Sequence, residues 1–360
     1  MNKTIMYACL FTAVVISSCS KSIEMTGERN GVSDNQILVS PTISKISGLT
    51  RSPYIETSPN KDFTADILIS EAQGEYTTLW NTGNTAAGNP AKDGSTFGFT
   101  GNTVKWPNVV SQKAPLYFTG LSPAKGFTIA STDGKSATAT IDGKTDFMYT
   151  NEVKKEDKTA VQMNFSHTLM LCKLYVRAES QQAIDDWGKL TDIKLTGVQY
   201  DNETAYGQIA KTLTVNFGST AKFTLADKTL PTLPLFAITN TVPETYTDVA
   251  FSSLVPKMDM DQVAGYVMVP VSNASPTVAT DPDDSHLSKI QFELTSDKYN
   301  GTGEEAPRIA EIDLSKATYR TSGSAIYVRL LLQAHGRISF DQTTIDGWGD
   351  AQDVPGKVGE

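Results

Sequence analysis

Cysteine is scarce in this sequence, with three residues among 360. Cys9 lies within an apolar N-terminal run, Cys19 follows the end of that run, and Cys172 stands alone in the remaining chain. A disulfide framework needs pairs of cysteines, and this distribution does not supply them to a mature chain. We therefore expect the fold to be stabilised by hydrophobic cores and not by disulfides.

Clusters of positive charge are also missing. The formal net charge is −9, and the lysines and arginines are scattered along the chain. Proteins that bind nucleic acids concentrate basic side chains on one surface to meet the phosphate backbone. DNA and RNA are therefore not expected as partners.

Motifs for catalysis and for cofactor binding are absent. The sequence has no P-loop, no GxGxxG between a strand and a helix, no HExxH, no paired CxxC and no GxSxG. Groups of aspartates at 259–261, 281–284 and 346–353 lack the spacing of a calcium loop and are interpreted as acidic surface turns. We expect no enzyme, no cofactor and no metal site, although a pair of carboxylates brought together only in space could escape this search.

Histidine and tryptophan are also few. The histidines are far apart in the sequence and are interpreted as satisfied side chains in or beside a sheet: His167, His286 and His335. The tryptophans are interpreted as core or sheet-rim residues, with sugar stacking as the alternative: Trp80, Trp106, Trp187 and Trp348.

The N-terminus has the pattern of an export signal. Lys3 supplies a positive charge, Ile5–Ile16 form a nearly continuous apolar run, and small residues lead to Cys19. The run is well short of the roughly 20 residues that span a bilayer, so residues 1–18 are predicted to be a signal peptide. Cys19 is the predicted lipidation site, whose acyl chains would hold the protein on a membrane. The alternative is a plain signal peptide with a chance cysteine.

Strand patterns recur along most of the remaining chain. Short runs rich in Val, Ile, Thr, Phe and Tyr alternate with Gly, Asn, Asp, Ser and Pro, which is typical of an all-β antiparallel sandwich. Helical periodicity is limited to Ser180–Leu190. The predicted strands are Phe63–Ile69, Leu116–Thr119, Ala137–Ile141, Val161–Ala178, Leu190–Val198, Thr212–Phe217, Ala264–Val271, Ile290–Leu294 and Ile326–Ala334.

Two segments also predict their packing. From Met163 the apolar residues alternate with polar ones, but from Leu169 to Val176 both faces are apolar, which indicates a central strand or a bulge that reverses the facing. Near the C-terminus, two alternating runs flank Ala334–Arg337 and predict a hairpin. The final residues, 350–360, are polar and lack a strand period.

The length suits two domains. After removal of the signal, about 340 residues remain, which is more than one ordinary core accommodates. A polar stretch, Glu179–Lys189, separates the long apolar strand from the next series of strands. We therefore predict a lipidated leader at 19–51, an N-terminal β-sandwich at 52–180 and a C-terminal β-sandwich at 181–360.

The leader contains a strand-like segment followed by a basic site. Gln36–Ser47 is rich in β-branched residues, and Arg51 then precedes the small residue Ser52. Pro53 stiffens the chain without occupying the position directly after the arginine. On sequence chemistry alone, Arg51 is either an ordinary linker arginine or a site for a trypsin-like protease.

Taken together, short motifs along nearly the whole mature chain resemble those of fimbrillin-like (Mfa-like) proteins of Bacteroidales type V pili. That family carries a Trp-Pro pair before an aromatic strand, an F-x-H-x-L strand and a closing I-x-x-W. One departure is Tyr319–Tyr327, YRTSGSAIY, which lacks the family's usual Trp and Gly-Lys and leaves the subtype open. The matching segments are the lipobox at Cys19, Thr50–Ser52 (TRS), Val104–Pro107 (VKWP), Leu116–Phe118 (LYF), Val161–Leu169 (VQMNFSHTL), Asp192–Val198 (DIKLTGV), Gly265–Pro270 (GYVMVP) and Ile345–Trp348 (IDGW).

The resemblance implies a structural subunit of a surface fimbria. Its fold would be two transthyretin-like Greek-key β-sandwiches in tandem, and its precursor would reach the outer membrane as a lipoprotein. A trypsin-like protease would cut the Arg51–Ser52 bond and remove Cys19 with its lipid. Other pilin subunits would then be the partners, joined by donor-strand exchange. Our own hypothesis adds that the region after Phe340 contributes donor contacts to a neighbour.

Two other functions stay open beside the stalk subunit. The first is an anchor or tip adhesin of the same pilus, which would bind a host or bacterial surface ligand. The second is a surface glycan-binding lipoprotein with no role in filaments. An anchor is expected to keep its lipid and its leader, so the mass of the mature protein distinguishes it from a stalk subunit.

Overall fold

The computed structural model describes residues 36–43, 63–77, 85–88, 105–106, 115–239, 245–271, 286–315, 322–347 and 350–354. Nearly all of the described regular structure is β-strand, which confirms the all-β fold class. No helix among these residues is long and apolar enough to cross a membrane.

The described elements follow one another along the chain with a single α-helix among them. The strands and helices are β1 Val39–Ile43, β2 Phe63–Ser70, β3 Thr85–Gly88, β4 Leu116–Ser122, β5 Thr128–Ile129, β6 Ser136–Thr140, β7 Met148–Thr150, β8 Val153–Lys155, β9 Val161–His167, β10 Leu169–Ala178, α1 Gln181–Trp187, β11 Leu190–Tyr200, β12 Ile209–Asn216, β13 Lys222–Leu230, β14 Leu233–Pro234, β15 Phe236–Thr239, β16 Thr245–Ala250, β17 Gln262–Pro270, β18 Leu287–Ser296, β19 Arg308–Asp313, β20 Ala325–Leu332, β21 Ile338–Gly347 and β22 Asp350–Val354, with 3-10 turns at Gly303–Glu305 and Ala334–Gly336.

The described strands form four sheets. The leading sheet has the order β1-β9-β7-β4-β2-β3, with β8 also paired to β4. The central sheet has the order β16-β15-β17-β10-β20-β21-β22. Two four-stranded sheets, β14-β11-β18-β19 and β13-β12-β6-β5, complete the described fold.

The two faces of the leading sheet pack into different cores. On one face lies the small core, a cluster of buried side chains. The opposite face contributes Leu68, Leu121 and Tyr149 to the main core, which extends through the other three sheets to Leu332. Because side chains alternate along a strand, neighbouring residues of β2 and β4 enter different cores. The small core consists of Ile37, Val39, Ala65, Ile67, Ile69, Trp106, Leu116, Phe118, Met148, Val161, Met163 and Phe165.

The long apolar run after residue 161 divides between two sheets at Thr168. β9 ends at His167 in the leading sheet, and β10 begins at Leu169 in the central sheet. The Thr168 amide and hydroxyl both donate to the Phe147 carbonyl oxygen, at 2.9 and 2.8 Å. β10 lies between β17 and a parallel β20, which confirms the predicted central strand. Cys172 is buried there as a free thiol, and burial raises its pKa.

Two sheets combine strands from both sides of the predicted domain boundary at residue 180. In one, β10 pairs with strands that come after residue 180. In another, β6 pairs with β12 along Ser136–Thr140. The division into 52–180 and 181–360, and its Greek-key tandem form, stay predictions.

The helix and the C-terminal hairpin agree with their sequence patterns. Ser180 caps α1 by accepting the Ala183 amide at 3.1 Å, and the buried Trp187 indole donates to the Gln333 carbonyl at 2.9 Å. β20 and β21 form the predicted hairpin around Ala334–Gly336. The polar segment 350–354 differs from expectation, because it pairs with β21 as an edge strand. Backbone pairing at an edge does not require an apolar period.

Candidate functional site: the leading strand

The predicted leader strand lies at one end of the leading sheet as β1. It runs parallel to β9, with Val39 opposite Val161 and Ile43 opposite Phe165. The other strand pairs of the leading sheet are antiparallel. β1 is therefore the one described element of this sheet that enters by a parallel pairing, and it comes from a segment preceding the predicted cleavage site.

One face of the leading strand fills the small core. Ile37 and Val39 are both 0% exposed, and Pro41 is buried on the same face. Ile37 and Val39 belong to the same core as Val161, Met163 and Phe165 of β9. Pro41 lies opposite Met163 in the pairing of the two strands. Burial of Ile37 and Val39 contributes about 1.5–3 kcal/mol each.

The backbone of β9 depends on the leading strand over most of its length. The Val161 amide donates to the Leu38 carbonyl oxygen at 2.9 Å. β7, the other described neighbour, pairs with β9 only from Phe165 to His167. Among the described strands, β9 from Val161 to Asn164 is therefore paired by β1 alone.

The surface of the small core that β1 covers, lined by Val161, Met163 and Phe165 of β9, is called the groove below. The tryptophan of the VKWP motif belongs to the same core. Trp106 is 7% exposed and meets the Phe118 ring edge-on, with centroids 5.8 Å apart. The neighbouring Lys105 is exposed and forms an isolated antiparallel bridge with Gln36. Trp106 thus has the predicted core role, and it lies in the core that the leading strand covers.

Phe165, His167 and Leu169 of the VQMNFSHTL motif have different surroundings. Phe165 enters the small core, and Leu169 enters the main core. Between them, the buried His167 places its Nδ1 within 2.9 and 3.0 Å of the two Asp146 carboxylate oxygens. His167 therefore has the structural role in a sheet that the sequence predicted, with its Nδ1 paired to Asp146 at the end of β9.

The described residues of β9 that pair with the leading strand carry no charge. Gln162 and Asn164, which alternate with the buried residues of β9, are exposed and polar. The leading strand is therefore held on β9 by apolar side chains and backbone hydrogen bonds. Within the described ranges, no group of three or more His, Cys, Asp or Glu residues is placed to hold a metal ion.

The three predicted modification residues, Cys19, Arg51 and Ser52, lie outside the described residues. Lipidation and cleavage therefore stay predictions. What the sequence did not indicate is the direction of the leading strand and the identity of its partner, because neither leaves a local signal.

No family model matches the chain, and no curated protein matches it. Solved structures that are similar include a candidate cell adhesion protein from Bacteroides uniformis, with 14% identity, a TM-score of 0.49 and coverage of 88% of this chain and 99% of that one. A fimbrial protein from Bacteroides vulgatus has 15% identity and a TM-score of 0.39, covering 86% and 99%. A candidate polysaccharide-binding protein from Bacteroides thetaiotaomicron has 12% identity and a TM-score of 0.38, covering 89% and 98%.

Proposed function

We propose that the chain is a structural subunit of a cell-surface fimbria that polymerises by donor-strand exchange. It is exported as a lipoprotein through Cys19 and reaches the outer membrane, where a trypsin-like protease cuts after Arg51. The cut releases the lipid and the leading strand together, because both precede the Arg51–Ser52 bond in the chain.

The observation that carries this proposal is the position of β1 at the end of the leading sheet of the described residues. A strand at the end of a sheet can leave without breaking the pairing of the strands behind it. β1 has this position, and its removal takes Ile37 and Val39 out of the small core. The groove that β1 leaves is therefore the groove that a strand from another subunit would fill.

Loss of β1 creates two deficits on β9. The backbone groups that β9 pairs with β1 between Val161 and Phe165 lose their partners, and its buried side chains face an open groove. An unpaired buried amide or carbonyl costs about 1–3 kcal/mol, and exposed apolar surface adds to that cost. A strand from another subunit removes the first deficit by backbone pairing and reduces the second with the apolar side chains that it places in the groove.

Repetition of this contact gives a filament. The groove of one subunit takes a strand from the next, so the two surfaces in contact differ and the interface is heterologous. We assign the donor to the region after Phe340. There β22 pairs with β21 at the end of the central sheet, so donation requires β22 to leave β21.

Limited proteolysis tests the release step. A chain produced without residues 1–18 and with Cys19→Ser is treated with trypsin under mild conditions, and its new N-terminus is sequenced. We expect an end at Ser52 together with exposure of Trp106, read from the tryptophan emission. An Arg51→Ala chain is the matched control and should keep its leader. Cuts scattered elsewhere, with no Ser52 end, would contradict the proposal.

Polymer formation tests the exchange step. The cut chain should form filaments visible by electron microscopy, and the Arg51→Ala chain should not. Deletion of the last 15 or so residues should abolish polymers if the C-terminal region is the donor. Undiminished polymerisation of the deleted chain removes that region from the scheme. A native protein that retains the mass of its lipid and leader is an anchor and not a stalk subunit.

A further inference from the structure

Trp106 is a buried tryptophan whose indole N–H has no hydrogen-bond partner in the described part of the chain. Its side chain is 7% exposed and belongs to the small core. The indole N–H of a buried tryptophan usually has an acceptor. Trp187, which is also buried, follows this rule and donates to the Gln333 carbonyl oxygen at 2.9 Å. Trp106 therefore holds a hydrogen-bond donor in the small core that the described fold does not use.

The register of the chain places Trp106 beside the start of the leading strand. Gln36 forms an antiparallel bridge with Lys105, and the side chains of a bridged pair point to the same face. Ile37 and Trp106 each follow a bridged residue, so both point to the opposite face, where both are buried in the small core. Such diagonal positions are about 7–8 Å apart, which an aromatic side chain can span. The side chain at position 37 is therefore within reach of the indole.

The leading strand offers no side-chain acceptor at this position. Isoleucine has neither a donor nor an acceptor in its side chain, whereas threonine, asparagine and glutamine carry an oxygen. Ile37 thus fills its part of the small core with apolar volume and leaves the Trp106 N–H unpaired. A buried donor without an acceptor destabilises the state in which it is buried, because it has lost its water and gained no partner. A strand that brings an oxygen to this position makes a hydrogen bond that the leading strand does not make.

We propose that Trp106 is a specificity-determining residue of the groove, which favours a donor strand with an oxygen-bearing side chain at the position of Ile37. This inference rests on the proposed function, in which a strand of another subunit takes the place of β1. The region after Phe340, assigned above as the donor, contains side chains of this kind, among them Thr343 and Gln352. The contact gives the replacing strand an advantage over the leading strand in the same groove.

Peptide binding to the cut chain tests this inference. The chain without residues 1–18 and with Cys19→Ser is cut at Arg51 and freed of its leader. The probes are peptides of residues 36–47 with Ile37→Thr or Ile37→Val, which are similar in shape and differ in one hydroxyl group. The comparison chain carries Trp106→Phe, which keeps an aromatic ring and removes the N–H.

The measured quantity is the Kd of the Ile37→Thr peptide divided by the Kd of the Ile37→Val peptide. We expect this ratio to be about 2–10-fold lower for the chain with Trp106 than for the Trp106→Phe chain, because the hydroxyl oxygen accepts the indole N–H. Equal ratios for the two chains overturn the inference. Failure of both peptides to bind either chain counts against the proposed release of β1, and the inference is then decided in the uncut chain.

Indole hydrogen exchange in the uncut chain is the second measurement, and it needs no substitution of Trp106. The two chains lack residues 1–18, carry Cys19→Ser and Arg51→Ala, and differ in having Ile37→Thr or Ile37→Val. Exchange of the Trp106 indole N–H, followed by NMR, should be slower in the Ile37→Thr chain. Equal exchange in the two folded chains overturns the inference. Neither chain can be cut at position 51, so this result does not depend on strand release or on polymer formation.

Discussion

Gly120 of β4 lies directly against the ring of Phe165 in β9. A Cβ atom built on Gly120 would be 2.5 Å from Phe165 Cζ and 3.2 Å from Met163 Cε. Both of these neighbours are 0% exposed and belong to the small core. Because residue 120 has no side chain, the Phe165 ring of β9 can pack directly against β4. The leading strand pairs with β9, so its position depends on this contact.

Gly120→Ala is expected to lower the free energy of unfolding by about 1–3 kcal/mol, because a buried ring must shift to admit one methyl group. Chemical denaturation measures the change. Gly207→Ala is the matched control, since the nearest atoms to its Cβ are 3.8 Å away or more. The control should change the stability by less than about 0.5 kcal/mol. Equal effects of the two substitutions would show that the Phe165 contact is not the cause.

Ile37→Ala is expected to weaken the packing of the leading strand in the small core. Truncation of a buried isoleucine costs about 2–5 kcal/mol, and this residue is fully buried in the small core. Hydrogen exchange should accelerate at the Val161 amide, whose acceptor is the Leu38 carbonyl. Leu38→Ala changes a half-buried neighbour on the same strand and should have a smaller effect. Unchanged exchange at Val161 in the Ile37→Ala chain contradicts the described packing.

Asp146→Ala is expected to destabilise the junction between β9 and β10. The substitution removes both oxygens that face the buried His167 Nδ1, and a buried polar group left without its partner costs about 1–3 kcal/mol. Urea unfolding measures the loss. The exposed Asp157, which contacts Lys155 and Thr159, provides the control. Asp157→Ala should change the stability much less than Asp146→Ala does, because solvent screens an exposed carboxylate. A similar loss in both variants argues against a special role for the buried pair.

Alkaline pH is expected to destabilise the fold through its buried tyrosines. Burial raises the pKa of Tyr76, Tyr200 and Tyr266, and the carboxylates of Glu152, Glu203 and Asp142 respectively add to the shift. Above about pH 10 the unfolded chain loses these phenolic protons while the folded chain keeps them. The stabilising contribution is therefore complete below pH 10 and is lost as the pH rises.

The loss should be about 1.4 kcal/mol per pH unit for each such tyrosine above pH 10. Denaturant unfolding at a series of alkaline pH values measures the slope. Tyr76→Phe removes one of the titrating groups and should reduce the slope by about 1.4 kcal/mol per unit. The other tyrosines of the chain ionise in the folded protein, so the tyrosinate absorbance of the parent is compared with that of Tyr76→Phe. The difference between the two chains should appear together with unfolding, and a difference in the fully folded proteins contradicts the expected protonation of Tyr76.

Several elements of the fold follow from local sequence patterns. The predicted strand at Phe63–Ile69 is β2, and the doubly apolar run after Leu169 is the central strand β10. The helix after Ser180 and the hairpin around Ala334–Gly336 also appear where their patterns indicated them. Strand β13 was missed because most of its side chains are exposed, and an edge strand of this kind has no apolar period to detect.

The sequence by itself determined that the chain is an all-β protein, with an export signal pattern and a strand-forming leader ahead of Arg51. These properties are local, since composition and a period of two residues are sufficient to specify them. The tertiary structure decided that the leading strand pairs parallel with β9 and that Asp146 meets His167. Each depends on register between segments far apart in the chain, and hydrogen-bond register is fixed only when the strands are brought together.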